Sequence, residues 1–466
     1  MKAAPRFELG IKDLQSSALP LGHAAMGEQT PGVDRISHGV PHRLLVLSNG
    51  HGEDLIALRV IEALARCHPG VGIAVLPLVG EGAAFDAVTP SLPLERLGPA
   101  RALPSGGFSN QSLWGLLRDL AAGLPLTTWQ QLQVVRRWGA SGQPILAIGD
   151  LLPLAMAWSG GGPYGFIGTP KSDYTWRSPP PPGWGASPLA DAYHRCKGSE
   201  WDPWEWALMA RPRCRLVAVR DGLTARGLRA HGVEAEAPGN PMMDGFERPQ
   251  LLSHLPGRRV MLLPGSRLPE ALGNFKRLLA SLPGPAQCER LGGVTVLVPV
   301  GQGLHASRAV AALLTAAQFQ PLPPPPQSGA QTAWSRGALH LWMGVGSFAC
   351  WAPWAEVGLA TAGTATEQLV GLGVPALSLP GPGPQFTAGF ARRQSRLLGG
   401  AVQPCRTSDA LRARLLDLLL DGGSRAALGA EGQHRMGPPG GSAALASLIQ
   451  VRLLGAAAPT SRDDAA

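Results

Sequence analysis

The sequence predicts an α/β protein built from two doubly wound parallel sheets. Short, continuous apolar runs recur along the chain, and each stops at a glycine-rich or charged turn. Helical apolar stripes lie between those runs. Continuous apolar runs mark strands covered on both faces, and strand alternating with helix implies parallel pairing. The length of 466 residues, 45% of them hydrophobic, exceeds one ordinary domain and suffices for two cores.

Residues 1–40 carry charges throughout and no sustained apolar run. They read as a disordered extension, or as an upstream start with the functional chain beginning later, for example at Met26. "RLLVLS" (43–48) is the first expected strand. Leu55, Leu58, Ile61 and Leu64 then recur at helical spacing, with Ile56 and Val60 widening the stripe. Further strands are expected at "GIAVLPLVG", "QPILAIGD", "RLVAVRD", "RRVMLLPGS", "GVTVLVPV", "EVGLATAG" and "GVPALSLP". A break at "NPMMDGFERPQLLSHLPG" (240–257) divides a first half, 41–250, from a second, 251–455, with a tail over 456–466. Two proline runs, at 178–185 and 320–327, read as surface loops.

Several classes drop out. No apolar run is long enough to span a bilayer. The six cysteines are scattered without a CxxC pair, as in free thiols of a reducing compartment. The net charge of +9 suits an anionic partner. No nucleic-acid-binding signature and no GxxxxGK[ST] phosphate loop occurs, so phosphorylated substrates or an anionic membrane face are left.

Two junctions of the second half are built to meet anions. In "LLPGSR" a buried strand runs into Gly265, Ser266 and Arg267 before a helix. Free backbone N–H groups and a positive dipole end face outward at such a junction, and an arginine fork adds to them. An ordinary turn with a surface arginine has the same letters. In "GLATAGTATEQL" a strand ends in small residues, Gly363 and Thr364 among them, with Glu367 and Gln368 in the next helical turn. Small residues admit a ligand to the backbone, and a carboxylate or amide there can hold ribose hydroxyls. Capping by Thr364 or Thr366 explains the same pattern.

Taken together, "SNGHGEDLIA", "NPMMDGFE", "LLPGSR", "AGTATEQLVGLGVPALSLP" and "PGPGPQFTAGFARRQSRLLG" resemble lipid-A-disaccharide synthase, and more closely the lipid-A-disaccharide-synthase-related proteins of cyanobacteria. The resemblance covers roughly residues 42–450 and implies the two-domain GT-B glycosyltransferase architecture. It implies a hexosyltransferase that moves a sugar with inversion from a UDP-sugar to a lipid-linked or hydrophobic acceptor, with no metal or resident cofactor. Gly265, Ser266 and Arg267 would meet the diphosphate, Gly363, Thr364 and the Glu367/Gln368 pair phosphate and ribose, and Gln385 the donor sugar. In such enzymes the ribose glutamate lies seven residues before the proline of the next strand. Counting back from Pro375 gives Gln368 rather than Glu367, so either residue is a candidate.

The first half would then hold the acceptor. The loop "SNGHGED" offers Asn49, Gly50 and Gly52 for close approach, with His51 and Glu53 as acid/base candidates; Asp54 reads equally as a helix-dipole residue. The synthase loop GEASGD, aligned on Asp54, would put its glutamate at Gly50, so His51 or Glu53 would have to replace it. Asp150, at the end of "QPILAIGD", is the rival base, because ligands sit at the carboxyl edge of open α/β sheets. Lys171 in "FIGTPKSDYTW" could line the acceptor mouth. Residues 105–139 mix tryptophan and leucine with arginine, as in a segment docked on a membrane surface, although two core helices fit as well. These features suit a cytoplasmic protein, peripheral on a membrane's inner face, as a monomer or homodimer, without nucleic-acid partners. A UDP-sugar 2-epimerase shares the architecture, and a non-catalytic nucleotide-sugar or lipid-binding protein is the third reading.

Overall fold

The computed structural model describes residues 43–86, 88, 92–99, 123–246, 257–381, 383 and 386–455. Fifteen described strands form two sheets. The first contains β1 (Arg43–Ser48), β2 (Gly72–Pro77), β3 (Leu94–Arg96), β4 (Ile145–Gly149), β5 (Tyr164–Gly168), β6 (Cys214–Val219) and β7 (Ala235–Glu236). All its pairings are parallel, in the order β3-β2-β1-β4-β5-β6-β7. The second contains β8 (Arg258–Leu263), β9 (Val294–Val300), β10 (Gln320–Leu322), β11 (Thr332–Arg336), β12 (Leu339–Val345), β13 (Val357–Ala360), β14 (Ala376–Ser378) and β15 (Val402–Pro404). Its order is β10-β11-β12-β9-β8-β13-β14-β15, parallel except for the antiparallel β10-β11-β12 edge.

Each sheet has one place where the strand order reverses, and there the loops at the carboxyl ends of two neighbouring strands splay apart and leave a crevice. In the first sheet it lies between β1 and β4, in the second between β8 and β13. The loops that the sequence singled out, 49–54, 150, 264–267 and 361–368, are the loops at these two points.

All the expected strands are present, and β5, "YGFIG", is an additional one inside the first sheet, between β4 and β6. Its glycines hide it from a pattern search, yet packing demands them. A β-carbon on Gly168 would stand 2.5 Å from the Trp201 ring, and one on Gly165 would touch Leu216 and Leu453 at 3.3 Å.

Two segments depart from the sequence reading. Residues 178–187 form a strap docked on the second half. Pro181 is buried, Trp184 donates its indole N–H to the Pro404 carbonyl (3.1 Å), and Arg406 donates to the Gly183 carbonyl (2.8 Å). Beside them Arg396 grips Asp191 with one guanidinium nitrogen (2.8 and 3.0 Å) and donates to the carbonyls of Ser178 and Trp176. The other departure is the helix Gly441–Leu448 with the π-turn Ile449–Leu453. They pack on helix His51–Cys67 and on β5 and β6, so Leu445, Ile449 and Leu453 complete the core of the first half.

Of the segment 105–139, residues 105–122 lie outside the described residues. The remainder belongs to helix Leu124–Ala140, which buries Thr127, Gln131, Val135 and Trp138 against the first sheet while Leu126 and Trp129 stand 60% and 55% exposed. Among the described residues no helix is long and apolar enough to cross a membrane.

Candidate functional site

The first sheet contributes a cluster of acids. After β1, Gly50 takes φ +123°, a left-handed conformation open to glycine, and helix His51–Cys67 begins at once. Asn49 donates to Asp150 Oδ1 at 2.7 Å, and the same oxygen caps the next helix by accepting from the Leu152 N–H at 3.0 Å. Gly149, at φ +134°, brings the two loops together. A β-carbon there would meet Asn49, Pro153 and Glu53 between 3.1 and 3.4 Å. Glu53 is partly buried and accepts a hydrogen bond from the Thr169 hydroxyl at the end of β5 (3.3 Å).

Burial dominates the electrostatics here. It raises Glu53 from 4.5 to about 7, and the charges of Asp150 and Asp54 add to the effect. Asp150 is also raised by burial, against the Leu152 N–H and the charge of Lys171. Asp54 is fully buried, holds a 2.5 Å bond from the Ser48 hydroxyl, and is pushed up to about 6. A carboxyl that titrates near neutrality can take or give a proton at working pH, and Glu53, at about 7, lies in that range. His51 is the first residue of its helix; its side chain is outside what is described. The Lys171 ammonium is committed to Glu205 (2.5 Å) and Asp202 (3.4 Å), with the Trp201 ring 5.1 Å away. It is not joined to the Asn49–Glu53–Asp150 group by a hydrogen bond.

The second sheet contributes two small-residue turns. Gly265, at φ +92°, follows β8 and lies against the Thr361 carbonyl; Ser266 is exposed and Arg267 partly buried before helix Glu270–Leu279. Burial lowers the Arg267 pKa and the Glu270 charge opposes that. After β13, Thr361 donates both its N–H and its hydroxyl to the Leu263 carbonyl, tying the two turns together. Gly363 then leads into helix Thr364–Gly371. The carbonyls of Ala362 and Gly363 accept from the Gln394 amide (3.3 and 3.2 Å), and Ala362 also accepts from the Thr366 hydroxyl (2.7 Å). The N–H groups of a helix's first turn have no partner inside the helix, and these are the groups that an anion would use.

Glu367 and Gln368 part company. Gln368 is buried and donates to the Met242 carbonyl at 3.0 Å, a packing role in the 240–243 linker. Glu367 reaches across to the first half and accepts from Arg220 at 2.8 Å. Gln385 lies outside the described residues. A β-carbon on Gly52 would stand 3.2 Å from Thr364 Oγ1, so the acidic loop of the first sheet and the small-residue turn of the second face each other at contact distance.

The sequence reading missed Arg220, Thr169 and Gln394. Arg220 and Thr169 carried one usable signal: each directly follows a parallel strand, at the carboxyl edge where ligands sit. Gln394 had none, since it sits mid-helix in Ala388–Leu397 and reaches the turn only through tertiary packing.

No protein-family model matches the sequence, and no curated protein matches it. Solved structures share its fold. One is a Listeria monocytogenes protein described as a UDP-N-acetylglucosamine 2-epimerase, at 12% identity and TM-score 0.50, covering 90% of this chain and 99% of that one. Another is MnaA of S. aureus with UDP, at 12% identity and TM-score 0.52, covering 89% and 97%. The glycotransferase of kitacinnamycin aligns over 89% and 99% at 16% identity with TM-score 0.46. At these identities the likeness concerns the fold: two Rossmann-like α/β domains in the GT-B architecture.

Proposed function

We propose that this chain is a nucleotide-sugar enzyme that transfers a sugar from a UDP-sugar, with inversion, to a hydroxyl of a lipid-linked or hydrophobic acceptor. The observation that carries the reading is the meeting of the two switch points: Gly52, next in sequence to the raised carboxyl of Glu53, stands across from Thr364 in the anion-suited turn of the other sheet. In this reading the turns at Gly265–Arg267 and Gly363–Thr364 hold the diphosphate, and Glu367 holds the ribose. Glu53 accepts the acceptor hydroxyl's proton while that oxygen bonds to the anomeric carbon. The bond from that carbon to the phosphate oxygen breaks, and UDP leaves with the electron pair. Asp150 and Asn49 fix the loop that carries Glu53, and their place beside it keeps Asp150 as the second candidate base.

The uridine part of the reading is supported by the solved structures that share the fold, one of which holds UDP. The apolar acceptor is supported by Leu126 and Trp129, exposed on a helix that also exposes Arg136 and Arg137, a composition suited to an anionic membrane face. The specific kinship to lipid-A-disaccharide synthase rests on the sequence motifs alone. A 2-epimerase-like reaction is the second reading, favoured by the fold shared with the Listeria protein at TM-score 0.50.

Calorimetric titration of the purified protein with UDP, against ADP and GDP, tests the donor half. Incubation with UDP-N-acetylglucosamine and membrane lipid then separates the readings. A glycosylated lipid product supports transfer, a 2-epimerised sugar without lipid product supports the second reading, and no uridine selectivity sinks both.

A further inference from the structure

A continuous path of polar contacts joins the two faces of the candidate site, and its centre is Arg220. The Thr169 hydroxyl donates to Glu53 (3.3 Å), the Thr169 carbonyl accepts from Arg220 Nη1 (3.4 Å), and Arg220 Nη2 donates to Glu367 Oε2 (2.8 Å). The ion pair is withdrawn from solvent, with Arg220 only 7% and Glu367 15% exposed. Burying such a pair costs desolvation that its attraction roughly cancels, so it is a poor source of net stability. The halves do not depend on it for cohesion either, because the Arg396–Asp191 pair and the Trp184 and Arg406 contacts already join them. What the pair does achieve is geometric. A glutamate in the first turn of a helix has three rotatable bonds, and a guanidinium fixed from the opposite half selects one arrangement of them. Only Oε2 is used; Glu367 Oε1 receives no hydrogen bond from any described residue.

We propose that Arg220 is a positioning residue of the donor site: from the first half it holds the Glu367 carboxylate in the orientation that receives the two ribose hydroxyls. This rests on the nucleotide-sugar reading above and deepens it, since ribose recognition then requires both halves to be in place. A carboxylate has acceptor capacity for Arg220 and both hydroxyls at once. No exchange of partners is therefore needed.

The test is calorimetry on the full chain with two probes, UDP and its 2′,3′-dideoxy analogue, for wild type, Arg220→Met and Arg220→Lys. Wild type should prefer UDP. Arg220→Met should bind UDP about 10-fold more weakly, the order expected for a lost hydrogen bond involving a charged group, and bind the dideoxy analogue as wild type does. Arg220→Lys, which keeps a cation in the buried position, should show an intermediate preference. Equal weakening towards both probes would mean a general structural or phosphate role and would overturn the proposal. An unchanged preference in Arg220→Met would overturn it too, and if that variant does not fold, the preference in Arg220→Lys decides. Wild type that binds no UDP would overturn the parent reading and this one together; wild type that binds UDP without the expected loss overturns this one alone.

Discussion

The backbone of Gly52 and the hydroxyl of Thr364 meet across the cleft, so that a β-carbon at position 52 would lie 3.2 Å from Oγ1. Gly52 lies in the first turn of a helix, where alanine is the better helix former by up to about 1 kcal/mol. Gly52→Ala should therefore leave thermal stability unchanged or slightly raised while it pushes the two loops apart and lowers turnover. A melting curve and an activity assay on the same sample check this; a destabilised protein with full turnover would contradict it.

Glu53→Gln keeps shape and removes the base. Turnover should fall by roughly 10²- to 10⁴-fold with UDP affinity unchanged. The base must be deprotonated to act, and Glu53 titrates at about 7. Wild-type turnover should then rise with pH through about 7, and the pH–rate profile of Glu53→Asp should shift. A flat profile from pH 5 to 9 would remove Glu53 from the role.

The same burial has a stability consequence. Glu53 and Asp54 both titrate higher in the folded chain than their ordinary values of 4.5 and 3.8. Between those values and about 6 to 7 the folded state binds more protons than the unfolded one, so stability declines as pH rises through that window. Glu53→Gln should relieve part of this and be more stable than wild type at pH 8, on the order of 1 kcal/mol, by urea titration at pH 5 and pH 8.

Asp54 accepts the Ser48 hydroxyl on Oδ1, the Gly50 backbone and the Arg96 charge also favour its charged form, and its Oδ2 has no hydrogen-bond partner among the described residues. Ser48→Ala should cost about 1–3 kcal/mol by denaturant unfolding, because a wholly buried carboxyl loses a donor.

Arg396 is buried and bridges Asp191, the Ser178 carbonyl at the start of the strap and the Trp176 carbonyl just before it. Removing one partner of such a buried pair costs about 3–5 kcal/mol. Arg396→Met should lower the melting temperature and expose residues 178–187 to limited proteolysis. Equal protease resistance in the two proteins would show that the strap is held without Arg396, by Trp184, Arg392, Arg406 and Arg435.

Much of the second half was legible in the letters. Fully buried strands such as "VMLL" and "VGLA" are continuous apolar runs, and the turns after them need glycine for the φ of Gly265 and for close packing. β5 was not legible, because Trp201, distant in sequence, dictates Gly168 and so depresses the strand signal. The β11–β12 hairpin was missed for another reason: Thr332–Arg336 is only partly buried and turns directly at Gly337 into β12, so neither strand shows a clean alternation. Glu367 and Gln368 are neighbours in the sequence, and only the helix rotation of about 100° between them separates a cleft residue from a packing residue. The proline strap reads as any loop would, since its partners Arg396, Arg406 and Pro404 lie more than two hundred positions away.

The return of Gly441–Leu453 to the first half sets an order of events during synthesis. Helix His51–Cys67 and strands β5 and β6 leave the ribosome with an apolar face that Leu445, Ile449 and Leu453 will cover. Those side chains are made some two hundred residues after β6. The first half therefore waits, incompletely closed, while the second is translated, and a chain that stops short of residue 441 presents that face to chaperones and proteases.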